Sequence, residues 1–177
     1  MKRTEMNRIT EKKAELLGLL KEENPGEVWL GFREGKKIYC FDGAGTDCGS
    51  PVFDHAFFGD YRVGIFAKEP LVCEMQGDLL ASLDDMAQIL GYRVPLRERS
   101  RIRGRRCAYL VRGEGVLVLG RTPGEAVTAL RMVRKALLVE IRGRRLGGTK
   151  KLNPLFAALE HLVYQKKYSR NEVRTDR

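Results

Sequence analysis

Hydrophobic residues recur along this chain with two distinct periods. Between residues 4 and 22, Met6, Ile9, Leu16, Leu17 and Leu20 fall on one stripe, with Glu11, Lys12, Lys13 and Glu15 on the other side. That spacing predicts an amphipathic helix, with Thr4 as its cap and Asn24-Pro25-Gly26 as its stop. The period then drops to two. Val28, Leu30 and Phe32 alternate with Trp29, Gly31 and Arg33, and Lys36 to Phe41 returns after the Glu34-Gly35 turn as the second strand of a hairpin. Residues 42–51 read as a loop and 52–58 as a short helix. Arg62 to Ala67 and Leu71 to Met75 are apolar strand candidates on either side of Lys68-Glu69-Pro70.

Ser82 is placed to cap a short helix ending at Leu90, with Asp85 three residues on and Gly91 as its terminator. Cys107 to Arg112 and Gly115 to Gly120 flank Gly113-Glu114, a hairpin signal. Thr122-Pro123-Gly124-Glu125 starts a helix in which Ala126, Leu130, Val133, Leu137 and Ile141 form one stripe to about Arg142. Gly147-Gly148 marks a loop, and Asn153 or Thr149 caps a last helix from Pro154 to about Lys167. The order of helix, strands, short helix, hairpin, helix, helix predicts a mixed α/β domain with a mainly antiparallel or mixed sheet, not a doubly wound parallel one. One domain spans residues 1–168, with a polar tail at 169–177.

Composition narrows the classes. With 177 residues, 43% hydrophobic and 32% charged, the chain is an ordinary globular one, long enough to bury a core without staples. No apolar run approaches the roughly 20 residues of a membrane span, and the polar N-terminus carries no signal-peptide pattern, so a cytoplasmic chain is expected. Cys40, Cys48, Cys73 and Cys107 form no C-x-x-C pair and read as reduced, mostly buried thiols. The net charge of +10 favours anionic partners.

Arg97, Arg99, Arg101, Arg103, Arg105 and Arg106 crowd one loop, and Arg142, Arg144, Arg145, Lys150 and Lys151 form a second basic stretch. Together they raise a nucleic-acid reading, although only Tyr92 and Tyr109 stand near the first stretch as stacking platforms. In the loop from Asp42 to Ser50, the glycines together with Thr46 and Ser50 could cradle an anion, against the repulsion of Asp42 and Asp47. His55, beside Asp54 and among Phe53, Phe57 and Phe58, is a candidate acid–base or ligand-binding residue. His161 reads as a surface or interface residue. No Gly-x-Ser-x-Gly elbow is present, and no base stands near a cysteine in sequence.

The run from Ala108 to Ala126, continuing into the long helix, resembles the C-terminal part of the class II aldolase/adducin family. There a strand ending in Arg-Asn-His-Gly is followed by an apolar strand, a glycine and a helix. The resemblance implies a three-layer fold with a central mixed, largely antiparallel sheet flanked by helices, and homo-oligomers, often tetramers. It also implies a zinc ion held by a His-x-His pair and the histidine of the turn, with an open position for an enediolate. This chain departs from that pattern. It has no His-x-His, Glu114 stands in the turn, and Ala67-Lys68 stand where the pair is expected. The expectation is a degenerate member without metal or cofactor that binds a small anionic ligand, sugar-like, phosphorylated or carboxylated. Arg112 and Glu114 lead its candidate residues, followed by Thr46, Ser50 and His55, and no catalytic residue is named. An active lyase with an atypical metal site is the alternative within the family. The last helix, with Leu155, Phe156, Leu159, Leu162 and Val163, is the expected subunit contact, together with the arginine loop.

Overall fold

The computed structural model describes residues 2–21, 23, 26–48 and 53–175, with side chains from 6 to 167. Ser50 and the Asn24-Pro25 helix stop lie outside the described residues. Helix α1 (Lys2–Lys21) starts two residues before the expected Thr4 cap. Strands β1 (Val28–Glu34) and β2 (Lys37–Asp42) form the expected hairpin, and β3 (Val63–Lys68) pairs antiparallel with the other edge of β1. Helix α2 (His55–Phe58) precedes β3. Then come β4 (Leu79–Leu80), α3 (Asp84–Leu90), β5 (Arg93–Val94), β6 (Leu96–Arg97), β7 (Ala108–Val111), β8 (Gly115–Gly120), α4 (Pro123–Arg145) and α5 (Pro154–Thr175). The main sheet has the order β2-β1-β3-β8-β7-β6; only the β6–β7 pair is parallel. This is the mixed, largely antiparallel sheet that the element order predicts.

Two expectations fail for local reasons. Residues 70–74 form a 3-10 helix, not a strand: Pro70 stands in its first turn, and the N–H groups of Val72 and Met75 close back on Glu69 and Val72. Ser82 does not cap α3. The chain before it is held extended, with Ala81 donating to the Tyr92 carbonyl and accepting from Leu152, so the helix begins one residue later with Leu83 at the cap position. The Thr122 cap forms as expected: its hydroxyl accepts from the Glu125 N–H at 3.2 Å, and the Glu125 carboxylate accepts from the Arg121 N–H.

The two-residue period of the strands divides the core. Leu30, Phe32, Val63, Ile65, Ala67, Val116 and Val118 face α1 and α4, where the predicted α4 stripe is buried in full and Ile9, Leu16 and Leu20 of α1 join it. Met6, counted on the α1 stripe, is exposed. On the opposite face Phe66, Leu117, Leu119 and Tyr109 pack with Phe53, Phe57, Phe58 and Ile102. Gly31 and Gly64 pair across β1 and β3, and a Cβ on either would stand 2.8 or 2.7 Å from the Phe53 ring. Their missing side chains seat that ring flat on the sheet.

Glu140 ties the end of α4 to the segment after it. It is 6% exposed and accepts from Arg144 at 3.0 Å, from the Thr149 hydroxyl at 2.7 Å and from Lys151. Thr149 is thus committed to Glu140, and Asn153 caps α5, its side chain accepting from the Leu155 N–H at 2.9 Å. Burial would raise the Glu140 pKa, but the hydrogen bonds from Lys151, Thr149 and Arg144 outweigh it and hold the carboxyl below the usual value. A group depressed in the folded state stabilises above its unfolded pKa and loses that contribution as pH falls through the folded value. Glu140→Gln is therefore expected to cost about 2 kcal/mol near neutral pH. Urea melts of both proteins should show the gap closing in acid, and a gap that does not change with pH would refute this role.

Candidate functional site

The face of the sheet away from α4 is only partly covered, and its open end holds a cavity of about 460 Å³. Strand alternation brings Trp29 of β1 and Phe66 and Lys68 of β3 to its wall. The 3-10 turn at 70–74 adds Pro70 and Cys73, with Glu69 just before it. A second 3-10 turn, Arg99–Arg101, adds Arg99, and the β7–β8 turn adds Gly113 and Glu114. The Trp29 and Phe66 rings lie 5.6 Å apart.

Every charge in this cavity faces one of opposite sign. Arg99 lies over the Phe66 ring, its Cζ 4.6 Å from the centroid, and its Nε donates to Glu114 Oε2 at 3.0 Å. Lys68 Nζ pairs with Glu27 at 2.6 Å, and Glu69 accepts from Arg134 at 3.1 Å. Cys73 is exposed, against the expectation of buried thiols; Cys40, Cys48 and Cys107 are half-buried. The Cys107 thiol faces the Ile89 carbonyl at 3.7 Å, and burial pushes its pKa up to about 11, which leaves it inert at neutral pH.

The arginine loop is fixed by backbone contacts. Gly104 donates to the Ala56 carbonyl at 2.7 Å, and a Cβ on Gly59, whose φ is +49°, would lie 2.1 Å from Gly104 O. The hydroxyl of Tyr109, kept protonated by burial, donates to the Arg103 carbonyl. With its backbone held, the segment sends Arg99 into the cavity, whereas Arg97 and Arg101 line a separate cleft of about 310 Å³ with Leu96, Glu98 and Arg112. The 112–114 turn forms a wall of both spaces.

The candidate residues therefore part company. Glu114 lies in the cavity and Arg112 in the arginine cleft, next to each other in the chain but on opposite sides of one turn. Thr46 belongs to a turn beyond β2 that leans on α1, where Lys13 donates to the Gly45 carbonyl. The N–H groups an anion would need there are already used: those of Ala44 and Thr46 donate to Asp42 Oδ1 at 2.9 and 2.8 Å. His55 is exposed rather than packed among the phenylalanines, and its Nε2 meets the Lys36 carbonyl at the far end of the β1–β2 hairpin. Asp54 caps α2 instead of pairing with it. His161 is half-buried and ties α5 to α3 through the Gln88 carbonyl at 2.7 Å. Trp29, Phe66 and Arg99 line the cavity and are not among the candidates that the sequence singles out. The alternation at Trp29 and Phe66 was readable, but their common cavity depends on strand order.

A His-x-His pair places two imidazoles on one face of a strand. On β3 the pair sharing the cavity face is Phe66 and Lys68; Ala67 is fully buried on the other face. The Ala67-Lys68 pair named from sequence thus divides between the two faces of the sheet. The residues present do not fit zinc. Among the described residues, no three His, Cys, Asp or Glu side chains come together as ligands. A divalent ion bonded to Glu114 at roughly 2 Å would also lie within about 5 Å of the Arg99 guanidinium nitrogen, where like-charge repulsion costs a few kcal/mol.

No family model matches this chain, and no curated protein does. Its fold is matched among solved structures. An L-fuculose 1-phosphate aldolase superposes with a TM-score of 0.65 at 15% identity, covering 88% of this chain and 96% of that one. L-fuculose-1-phosphate aldolase from Thermus thermophilus gives 0.59 at 13%, covering 81% and 99%. YgbL from Escherichia coli gives 0.57 at 13%, covering 89% and 99%. The chain therefore has the class II aldolase fold.

Arg99→Ala is expected to change stability by less than about 1 kcal/mol, because the pair with Glu114 is partly solvated. It should also increase acrylamide quenching of Trp29, the single tryptophan, by uncovering the cavity. Unchanged quenching would show that Arg99 does not cover this space.

Proposed function

We propose that this chain is a class II aldolase-like protein that binds a small anionic ligand, sugar-like and phosphorylated or carboxylated, beside the 112–114 turn and has no zinc-dependent lyase activity. The observation that carries the reading is that Phe66, Lys68 and Glu114 line one cavity with no imidazole beside them, and that a guanidinium is seated on Glu114, the only one of the three that could bind a metal. The arginines across the turn supply positive charge for an anion, in keeping with the overall charge of +10. Of the five residues named from sequence, Arg112 and Glu114 are the ones this reading retains. Two of the fold neighbours above are named as aldolases of L-fuculose 1-phosphate; the class II mechanism that the resemblance implies uses a cation to stabilise an enediolate, and this cavity presents only side-chain charges already engaged with partners.

Nucleic-acid binding is the second reading, because the 74–78 segment touches both basic stretches, Glu74 pairing with Arg145 and Asp78 with Arg93 and Arg97. The interleaved acids Glu74, Asp78, Glu98 and Glu140 break that surface into pairs, which favours a small ligand. Self-association belongs to the same reading: Leu155, Phe156, Leu159, Leu162 and Val163 of α5 stay exposed. No helix among the described residues is long and apolar enough to cross a membrane.

A thermal-shift screen should find stabilisation by phosphosugars or sugar acids with no dependence on added divalent ions, and no cleavage of a ketose 1-phosphate. Zinc-dependent cleavage would establish instead a lyase with an atypical metal site. Sedimentation is expected to show an oligomer, and a monomer at micromolar concentration would remove the α5 contact from the reading.

A further inference from the structure

The cleft behind the 112–114 turn has a charge imbalance that the aromatic cavity lacks. Its lining carries Arg97, Arg101 and Arg112 against the single carboxylate of Glu98. Main-chain bonds hold these residues together. β6 runs parallel to β7 with Arg97 beside Val111, the Arg112 N–H donates to the Arg97 carbonyl at 3.0 Å, and the Arg101 N–H donates to the Glu98 carbonyl at 2.9 Å. Two of the three guanidinium groups are also oriented by their side-chain partners. Arg97 Nη1 contacts Asp78 Oδ1 at 3.2 Å and the Leu96 carbonyl at 2.8 Å, and Arg112 Nε contacts Glu98 Oε1 at 2.9 Å. The Arg101 guanidinium has no ion-pair or hydrogen-bond partner among the described residues.

We propose that this cleft is a binding site for a phosphoryl group, the anionic end of the small ligand; the assignment rests on the small-anion reading and gives that ligand its chemical class. A guanidinium has five N–H donors in a planar fork, and the contacts above occupy only Nη1 of Arg97 and Nε of Arg112. The remaining donors of three arginines exceed what a carboxylate can accept, and they match the three terminal oxygens of a phosphate monoester. The charge matches as well. Asp78 behind the cleft is shared by Arg93 and Arg97, so the cluster sets Arg93, Arg97, Arg101 and Arg112 against Asp78 and Glu98; the excess is two positive charges, and a phosphate monoester carries roughly −1.5 to −2 near neutral pH. The glycine-rich turn at 43–48 offers no comparable set, because Asp42 already accepts from its Ala44 and Thr46 N–H groups. The cleft is bounded by one strand end, one 3-10 turn and one hairpin turn, so it suits a terminal phosphoryl group more than a polymer backbone.

The test is calorimetric titration of the full chain with inorganic phosphate, a sugar phosphate and acetate, for wild type, Arg101→Ala and Arg105→Ala. Arg101 and Arg105 are both exposed, and either substitution removes one positive charge, but Arg105 lies outside the cleft. The expected result is that phosphate binds more tightly than acetate, and that Arg101→Ala weakens it about tenfold while Arg105→Ala leaves it unchanged, with both variants melting like wild type. Equal weakening by the two substitutions would reduce the attraction to net charge and overturn the site. Sugar-phosphate binding that Arg101→Ala does not touch would overturn the cleft and leave the small-anion reading standing. Failure of wild type to bind any of the three anions would overturn that reading itself. An RNA duplex that outcompetes phosphate, with both variants weakened alike, would replace both with nucleic-acid binding.

Discussion

The ion pair between Arg99 and Glu114 is the contact around which the open end of the sheet is arranged. It is partly solvated, so it adds no more than about 1 kcal/mol to stability. Its consequence is electrostatic and steric. The guanidinium lies over the Phe66 ring and binds the carboxylate of the hairpin turn, so a fixed cation of the protein occupies the neighbourhood in which a metal would need that carboxylate. The pair also forms the boundary between two differently charged spaces. On one side is an aromatic cavity in which every charge is matched, and on the other a cleft in which arginines outnumber carboxylates three to one.

That division rests on backbone geometry. β6 enters parallel to β7, the 3-10 turn after it sends Arg99 one way and Arg97 and Arg101 the other, and the tight β7–β8 turn separates Arg112 from Glu114 in the same manner. The arginine loop can hold this arrangement because Gly59 and Gly104 let two backbones touch and Tyr109 anchors the Arg103 carbonyl. A loop that reads in sequence as a run of solvated charge is thus one wall of two clefts.

Local signals were legible in the sequence wherever they were self-contained. The Thr122-Pro123-Glu125 start of α4, its apolar stripe, the hairpin around Gly113-Glu114 and the type of sheet, though not its strand order, could be read directly. The misreadings came where partners distant in the chain intervene. Pro70 turns an apolar run into a 3-10 helix, and pairing of Ala81 with Tyr92 and Leu152 moves the start of α3 past Ser82. Glu114 and Arg112 are read together from sequence because they share one turn; their separation into two spaces is not visible there, because it requires β6 and the 3-10 turn to be in place. The division of Ala67 and Lys68 between the two faces could have been found by counting alternation from the buried Ile65. Thr46 and His55 were singled out for residue type and surrounding glycines or aromatics. Their hydrogen bonds run instead within a turn and to the Lys36 carbonyl.

The proposed metal-free state is tested most directly by zinc content after loading. The purified chain is incubated with excess zinc, dialysed against metal-free buffer and assayed by atomic spectrometry, alongside Glu114→Gln. The expected outcome is a trace, substoichiometric amount of zinc, the same in both proteins. One retained zinc per chain that disappears in Glu114→Gln would show that the carboxylate grips a metal despite Arg99, and would contradict the account.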